Sequence, residues 1–257
     1  MRIFDTHCHL DFAAFDDDRA QVIAAAQDLG VERFMLLGVA KQQFDRLINV
    51  SQDFSNSCYF SLGLHPYFIE QHEEHHLGAL ESYLEAILAD TQTRCKAVGE
   101  IGLDVTCGKP ELQQTLFKGQ LKIAAEYQLP VILHHRKTLD ELLKAVREAS
   151  IQRGVVHAFS GSYEQAAAWV DHGFKLGVGG TITYQRAKKT RDAISRIGAE
   201  HLVLETDAPD MPLCGYQGQR NEPKRVLEVL NSLAELLQTE TNELADVLWK
   251  NSVELFN

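Results

Sequence analysis

Short apolar runs alternate with longer amphipathic stretches along this chain, and the alternation occurs about eight times. Such runs predict buried strands and the stretches between them predict helices, a pattern typical of a parallel sheet. Two helical stretches are especially clear: residues 19–29, followed by Gly30 as a left-handed cap, and residues 112–129, stopped by Pro130. The apolar runs lie at residues 2–4, 33–39, 58–64, 96–101, 130–133, 154–156, 174–178 and 201–204.

Eight such units in 257 residues occupy about 32 residues each, which is the size of one strand followed by one helix. No Pro/Gly/Ser-rich linker divides the chain. We therefore predict one domain, residues 1–257, folded as a closed (β/α)8 barrel. An open doubly wound sheet has the same alternation, but it more often carries a Gly-rich phosphate loop after its first strand, where this chain has histidines.

The composition excludes several classes of protein and indicates where this one functions. Lys and Arg number 25 against 36 Asp and Glu, a net charge of −11, which argues against a broad basic face for nucleic acid. We expect a cytoplasmic protein, because no apolar stretch suits a membrane span or a signal peptide. The five cysteines are scattered without a C-x-x-C pair, so we expect reduced thiols.

Side chains that bind metals recur where the apolar runs end. In a (β/α)8 barrel the carboxyl ends of the strands share one mouth, where active sites form. Core packing gives no reason for polar residues to recur there, so together they predict a metal centre. They are His7, His9, His65, Glu100, His134, His135, His157 and Asp207.

His7 and His9 are two residues apart, so on an extended backbone both imidazoles face the same side and can hold one ion. Alternatively, the two histidines cap turns and bind no metal. Cys8 points away from this side and is expected to pack in the core.

Glu100 ends a buried run, where a carboxylate needs a cation or a hydrogen-bond donor beside it. It is either a ligand, able to bind one metal with each oxygen, or the partner of an arginine.

Only one of two adjacent histidines after the fifth run can face the mouth. Leu133 lies on the opposite face of the strand, so His134 and Arg136 share a side, and we expect His135 to lie outside the site. Arg136 is a candidate phosphate-binding residue, because a guanidinium can bind two anionic oxygens at once.

Asp207 is a candidate metal ligand with a hard oxygen donor, and beside a metal-bound water it can also accept a proton. The remaining histidines are expected at the surface: His72, His75, His76, His172 and His201.

With these residues in hand, the sequence resembles the TatD family of metal-dependent deoxyribonucleases, a branch of the amidohydrolase-like barrels, over essentially its whole length. Seven motifs in order carry the resemblance. They are Asp-Thr-His-Cys-His-Leu-Asp (5–11), Gly-Leu-His-Pro (63–66), Gly-Glu-Ile-Gly-Leu-Asp (99–104), Pro-Val-Ile-Leu-His-His-Arg (130–136), Val-His-Ala-Phe-Ser-Gly (156–161), Glu-Thr-Asp-Ala-Pro (205–209) and Arg-Asn-Glu-Pro (220–223).

The resemblance implies a (β/α)8 fold with a two-metal centre. It implies one metal held by His7, His9 and Asp207, a second held by His134 and His157, and Glu100 as the bridge. It also implies that His65 lines the site near the substrate. The chain departs from the family in having Val105 after Gly-Glu-Ile-Gly-Leu-Asp, where the family often has an aromatic residue, and in its loop after Asp207.

We accordingly expect a hydrolase in which two divalent metals activate a water, with Asp207 as the base. The expected activity is 3′ to 5′ removal of nucleotides from single-stranded DNA ends, and DNA ends or small phosphodiesters are the expected partners, with neither a membrane nor an obligate protein partner. Arg136 and Arg220 would hold the phosphate. Lys188 and Lys189 would attract a strand or, as we favour, form a solvated helix face.

Two other functions stay open from the sequence. One is amide, lactone or ester hydrolysis on the same binuclear centre, since such a centre also attacks a carbonyl. The other is metal or partner binding without turnover, which the presence of Asp207 beside the ligands disfavours. The ligand types admit Zn, Mn, Co, Fe or Mg.

Overall fold

Eight strands alternate with helices along the chain in a computed structural model that describes residues 1–257. The strands are β1 Ile3–Cys8, β2 Val31–Leu37, β3 Cys58–Leu62, β4 Cys95–Asp104, β5 Val131–Arg136, β6 Gly154–Val156, β7 Lys175–Val178 and β8 Leu202–Leu204. The helices are α1 Arg19–Gln27, α2 Phe44–Asp53, α3 His76–Leu88, α4 Pro110–Glu126, α5 Leu139–Glu148, α6 Tyr163–Asp171, α7 Lys188–Ile197, α8 Val226–Leu237 and α9 Thr241–Phe256.

All eight strands belong to one sheet, in which their order is their order along the chain. The first and last strands also meet, because Cys8 and Ala208 form a parallel bridge and the Thr6 hydroxyl donates to the Leu204 carbonyl at 2.8 Å. A sheet of eight parallel strands whose ends meet is a (β/α)8 barrel, so the predicted fold is confirmed.

The chain divides into two compact units. The first comprises residues 1–36, 158–255 and 257, and in it β1 pairs with β2 and β7 pairs with β8. The second comprises residues 37–157 and 256, and in it β3, β4, β5 and β6 pair in sequence order. Every pairing is parallel, so within each unit the strands present their carboxyl ends on the same side.

Helix α4 shows how the sequence pattern becomes structure. Its buried apolar positions include Leu116, Phe117 and Leu121, which recur at helical spacing. Pro110 occupies the first turn, where its missing N–H costs nothing. The helix ends at Glu126, earlier than predicted, because Gln128 adopts a left-handed backbone conformation (φ 54°) before Pro130 is reached.

Gly30 was predicted as a left-handed cap after the first helix, and its φ is +92°. A Cβ there would lie 2.9 Å from the Met1 carbonyl oxygen, so the turn into β2 also leaves no room for a side chain. No helix of the chain has both the length and the apolar character needed to cross a membrane.

Candidate metal centre

His7, His9 and Asp207 form the first cluster of candidate ligands, which lies in the first unit. The Nε2 atoms of His7 and His9 each lie 3.4 Å from Asp207 Oδ1. The three ligand atoms all lie within 4.8 Å of one another. The structure thus brings together the two imidazoles of the first motif and the carboxylate that follows β8. Cys8 between them is buried with its Sγ 3.5 Å from the Met35 carbonyl, as expected for a packing residue.

A buried carboxylate that the sequence analysis did not single out supports this cluster. Asp5 accepts hydrogen bonds from the Thr206 hydroxyl (2.6 Å) and the Thr206 N–H (3.0 Å). The next N–H, that of Asp207, donates to the His7 carbonyl at 2.8 Å. Burial raises the pKa of Asp5 to about 8, against the lowering effect of the Thr206 hydroxyl. These bonds fix β1 and the segment after β8 to each other, and so fix His7 relative to Asp207.

His65, Glu100 and His134 form the second cluster, which lies in the second unit. Glu100 Oε1 is 3.1 Å from His65 Nε2 and 3.3 Å from His134 Nδ1. The two rings meet edge to face with their centroids 4.3 Å apart. All three ligand atoms lie within 4.8 Å of one another. His65 was predicted to lie near the substrate, and the geometry places it among the candidate ligands as well.

Asp104 orients His134, a function that the sequence analysis missed. Its Oδ2 lies 3.1 Å from His134 Nε2, while its Oδ1 accepts from the Thr106 N–H and hydroxyl at 2.7 and 2.6 Å. When Nε2–H donates to Asp104, Nδ1 is left as the nitrogen that faces Glu100 and can bind an ion. Asp104 is the last residue of the Gly-Glu-Ile-Gly-Leu-Asp motif and lies four residues after Glu100, so both face the same side of the strand. This spacing was the signal in the sequence that Asp104 belongs to the site.

The charges around His134 shift its pKa and that of Asp104 in opposite directions. Burial would lower the pKa of His134, but its contacts with Asp104 and Glu100 outweigh burial and raise it. Burial would raise the pKa of Asp104, yet the bonds from His134 and Thr106 outweigh burial and lower it. His157, buried just after β6, acts against the protonation of His134. The pKa of His134 therefore depends on its neighbours Asp104, Glu100 and His157.

Two glutamines on α4 hold the backbone beside these side chains. Gln120 accepts from the Leu64 N–H (2.6 Å) and donates to the Leu64 carbonyl (3.2 Å), directly before His65. Gln113 makes the equivalent pair with the backbone of Asp104, at 2.9 and 3.1 Å. Both are buried polar residues on the apolar side of a helix. Gln120 lies 56 residues from its partner Leu64 and Gln113 lies 9 residues from Asp104, so only the polarity of the two glutamines on a buried face gave a signal.

The predicted phosphate contacts differ in environment. Arg136 ends β5 and is exposed. Arg220 binds both carboxylate oxygens of Asp18, at 2.9 and 2.6 Å, and lies 3.2 Å from Glu222, so its guanidinium is already engaged in ion pairs. Lys188 and Lys189 are exposed in the first turn of α7, which fits the solvated helix face. His135 is half-buried.

The expectation that His72 lies at the surface is wrong. His72 is only 2% exposed, and its Nε2 lies 3.0 Å from the carbonyl oxygen of His65. Burial lowers the pKa of His72, so the neutral ring donates this bond. The side chain turns inward because it closes the 3₁₀ helix Pro66–Gln71 that follows His65.

Known proteins resemble this chain over all or nearly all of its length. The profile of a family described as TatD related DNase matches residues 4–257. The chain is 44% identical to "Uncharacterized metal-dependent hydrolase YjjV" of Escherichia coli K12, over 100% of this chain and 98% of that one. It is 30% identical to "3'-5' ssDNA/RNA exonuclease TatD" of the same organism, over 90% of each chain. The crystal structure of YjjV, a TatD homologue, superposes with a TM-score of 0.94 at 42% identity, covering 100% of this chain and 98% of that one.

Proposed function

The chain belongs to the TatD-related DNase family, and from this premise we propose that it is a metal-dependent hydrolase that removes nucleotides from the 3′ ends of single-stranded DNA. One observation carries the proposal. Two clusters, His7–His9–Asp207 and His65–Glu100–His134, each gather two imidazoles and a carboxylate with their ligand atoms within 4.8 Å. Four of these six side chains are buried and the other two are partly buried, and polar groups in such places are costly to assemble unless a cation meets them.

The donor chemistry fits divalent metal ions. Imidazole nitrogen with carboxylate oxygen suits Zn, Mn, Co or Fe, and the carboxylates also admit Mg. In the proposal His7, His9 and Asp207 hold one ion, His134 and His157 hold another, and Glu100 is shared between them. The barrel fold supports this assignment, because its active sites form where the strands end. Such ions, when bound, lower the pKa of a water and offset the charge that develops on a phosphate.

The protein side chains then divide the remaining work. Asp207 is proposed to accept the proton of the attacking water, because its side chain is 16% exposed whereas that of His7 beside it is fully buried. Asp104 holds the His134 ring in one orientation through Nε2. Arg136 is proposed to hold the substrate phosphate from the end of β5. Arg220 is the weaker candidate for this contact, because Asp18 and Glu222 already occupy its guanidinium.

The relatives support the choice of substrate. A protein 30% identical over 90% of this chain is named a 3'-5' ssDNA/RNA exonuclease. The net charge of −11 also favours a strand end, whose phosphates are met locally, over a duplex lying along a basic surface.

The test compares an end-labelled single strand, a closed circular single strand, a duplex and an RNA strand, with a simple carbonyl ester alongside. We expect stepwise shortening from the 3′ end of the linear strand and an intact circle. Rapid cutting of the circle would mean internal cleavage. Brisk ester hydrolysis without any strand cleavage would move the function to carbonyl substrates.

A further inference from the structure

Aromatic rings form a continuous row from the second cluster to the surface. His134 contacts His65 with ring centroids 4.3 Å apart, His65 contacts Phe68 at 6.2 Å, and Phe68 contacts Tyr67 at 5.7 Å. All three contacts are edge to face, the arrangement that aromatic pairs favour. We call these four residues the aromatic row. Its inner end is a candidate metal ligand, its third member is half-buried and its outer end is exposed.

Tyr67 differs from every other tyrosine of the chain. Of the seven tyrosines it is the one that is exposed, at 72%. Others are engaged: the Tyr83 hydroxyl donates to Asp45, the Tyr184 hydroxyl donates to the Pro212 carbonyl, and an arginine covers the ring of Tyr163. An exposed aromatic ring beside a site offers an open face for a planar ligand.

Hydrogen bonds hold the backbone of Tyr67 in place. Its N–H donates to His65 Nδ1 at 2.9 Å, and the N–H of Phe68 donates to the His65 carbonyl at 3.0 Å. Glu70, in the same 3₁₀ helix, forms an ion pair with Lys109 at 2.8 Å. The backbone that carries Tyr67 is therefore ordered before a ligand binds, which lowers the entropic cost of binding.

We propose that Tyr67, backed by Phe68, is a stacking platform for a nucleobase near the 3′ end of the strand that the second cluster holds. This inference rests on the proposed function and names the part of the substrate that this surface recognises. Every base has a flat π-face, so stacking holds a strand without reading its sequence. Such a contact suits an acidic protein, because it adds affinity for a strand without adding positive charge.

The experiment measures KM and kcat for two strands of equal length and charge, one normal and one with abasic residues at its 3′ end. For Tyr67→Ala we expect KM for the normal strand to rise about 5- to 100-fold, the effect of losing one base–aromatic contact. The KM for the abasic strand should stay within about twofold of the wild-type value, and Tyr67→Phe should behave as wild type. The control variant is Leu29→Ala, which also trims an exposed apolar side chain and should change neither KM.

A binding measurement separates this inference from the proposed function. In Tyr67→Trp the new indole is exposed, whereas the native Trp169 and Trp249 are buried. We expect the normal strand to quench its fluorescence and the abasic strand to leave it unchanged. Strand cleavage without quenching, or equal effects of Tyr67→Ala on both strands, would overturn the platform and leave the nuclease standing. Quenching without cleavage would retain the platform and overturn the nuclease, and the absence of both would overturn both.

Discussion

Gln120 provides the sharpest test of how α4 holds the second cluster. Gln120→Leu removes the side-chain amide that binds both the N–H and the carbonyl of Leu64, while it leaves a side chain of similar volume. Both backbone groups stay buried, because Leu64 is 2% exposed and Gln120 is fully buried. Leaving a buried polar group without a partner costs about 1–3 kcal/mol, or about 2–6 kcal/mol for two. Burial of the leucine offsets about 1.5–3 kcal/mol, so we expect the free energy of unfolding to fall by about 2 kcal/mol.

The assay is equilibrium urea unfolding followed by far-UV circular dichroism, which should show a lower midpoint at an unchanged slope. The matched control is Gln21→Leu on the exposed side of α1, for which we expect a change within about 0.5 kcal/mol. Because Leu64 directly precedes His65, the Gln120 variant should also bind metal more weakly, which equilibrium dialysis measures. Equal stability of the two variants would refute the inference that these two hydrogen bonds hold the loop.

Four further predictions concern the metals and the base. Chelation should remove two divalent ions per chain and abolish hydrolysis, and full activity in protein shown by elemental analysis to be metal-free would contradict this. Glu100→Ala should lose more metal and turnover than His134→Ala, because it removes a shared carboxylate; two normally bound ions in this variant would disprove the bridge. Asp207→Asn should retain most of its metal while kcat falls by roughly 10²-fold, and near-normal kcat would remove Asp207 from the chemistry. Asp104→Ala should weaken metal binding by about 10- to 100-fold although no ligand is lost, and unchanged affinity in equilibrium dialysis would show that His134 does not need this partner.

The strands were predictable because each one is an apolar run between helical stretches. The sixth run coincides with β6, Gly154–Val156. The fourth strand continues to Asp104, three residues beyond the predicted end, because Gly102, Leu103 and Asp104 keep pairing with β5. At Gly102 a Cβ would overlap the His134 carbonyl oxygen, so this position beside β5 requires glycine. Hydrophobic pattern alone does not distinguish such a glycine from the end of a strand.

The candidate ligands were predictable from their recurrence at strand ends, whereas the residues that hold them were not. Gln113 is 9 residues from Asp104 along the chain, and Gln120 is 56 residues from Leu64. Such pairs depend on how a helix packs on the sheet, which the local pattern does not contain. His72 was expected at the surface because it lies in a helical or turn segment. It is buried instead, and its side chain is hydrogen-bonded to the His65 carbonyl.

The two clusters differ in when the growing chain can assemble them. His65, Glu100 and His134 all lie within the first 134 residues, whereas the cluster of His7 and His9 needs Asp207, about 200 residues after its partners. At about 5–20 residues per second, the ribosome takes roughly 4–15 s to add the 73 residues that separate His134 from Asp207. During that time the earliest histidines of the chain are made but Asp207 is not, and β1 has no β8 to pair with. Neither the pairing of β1 with β8 nor the completion of the first cluster can therefore precede the synthesis of residues 202–207.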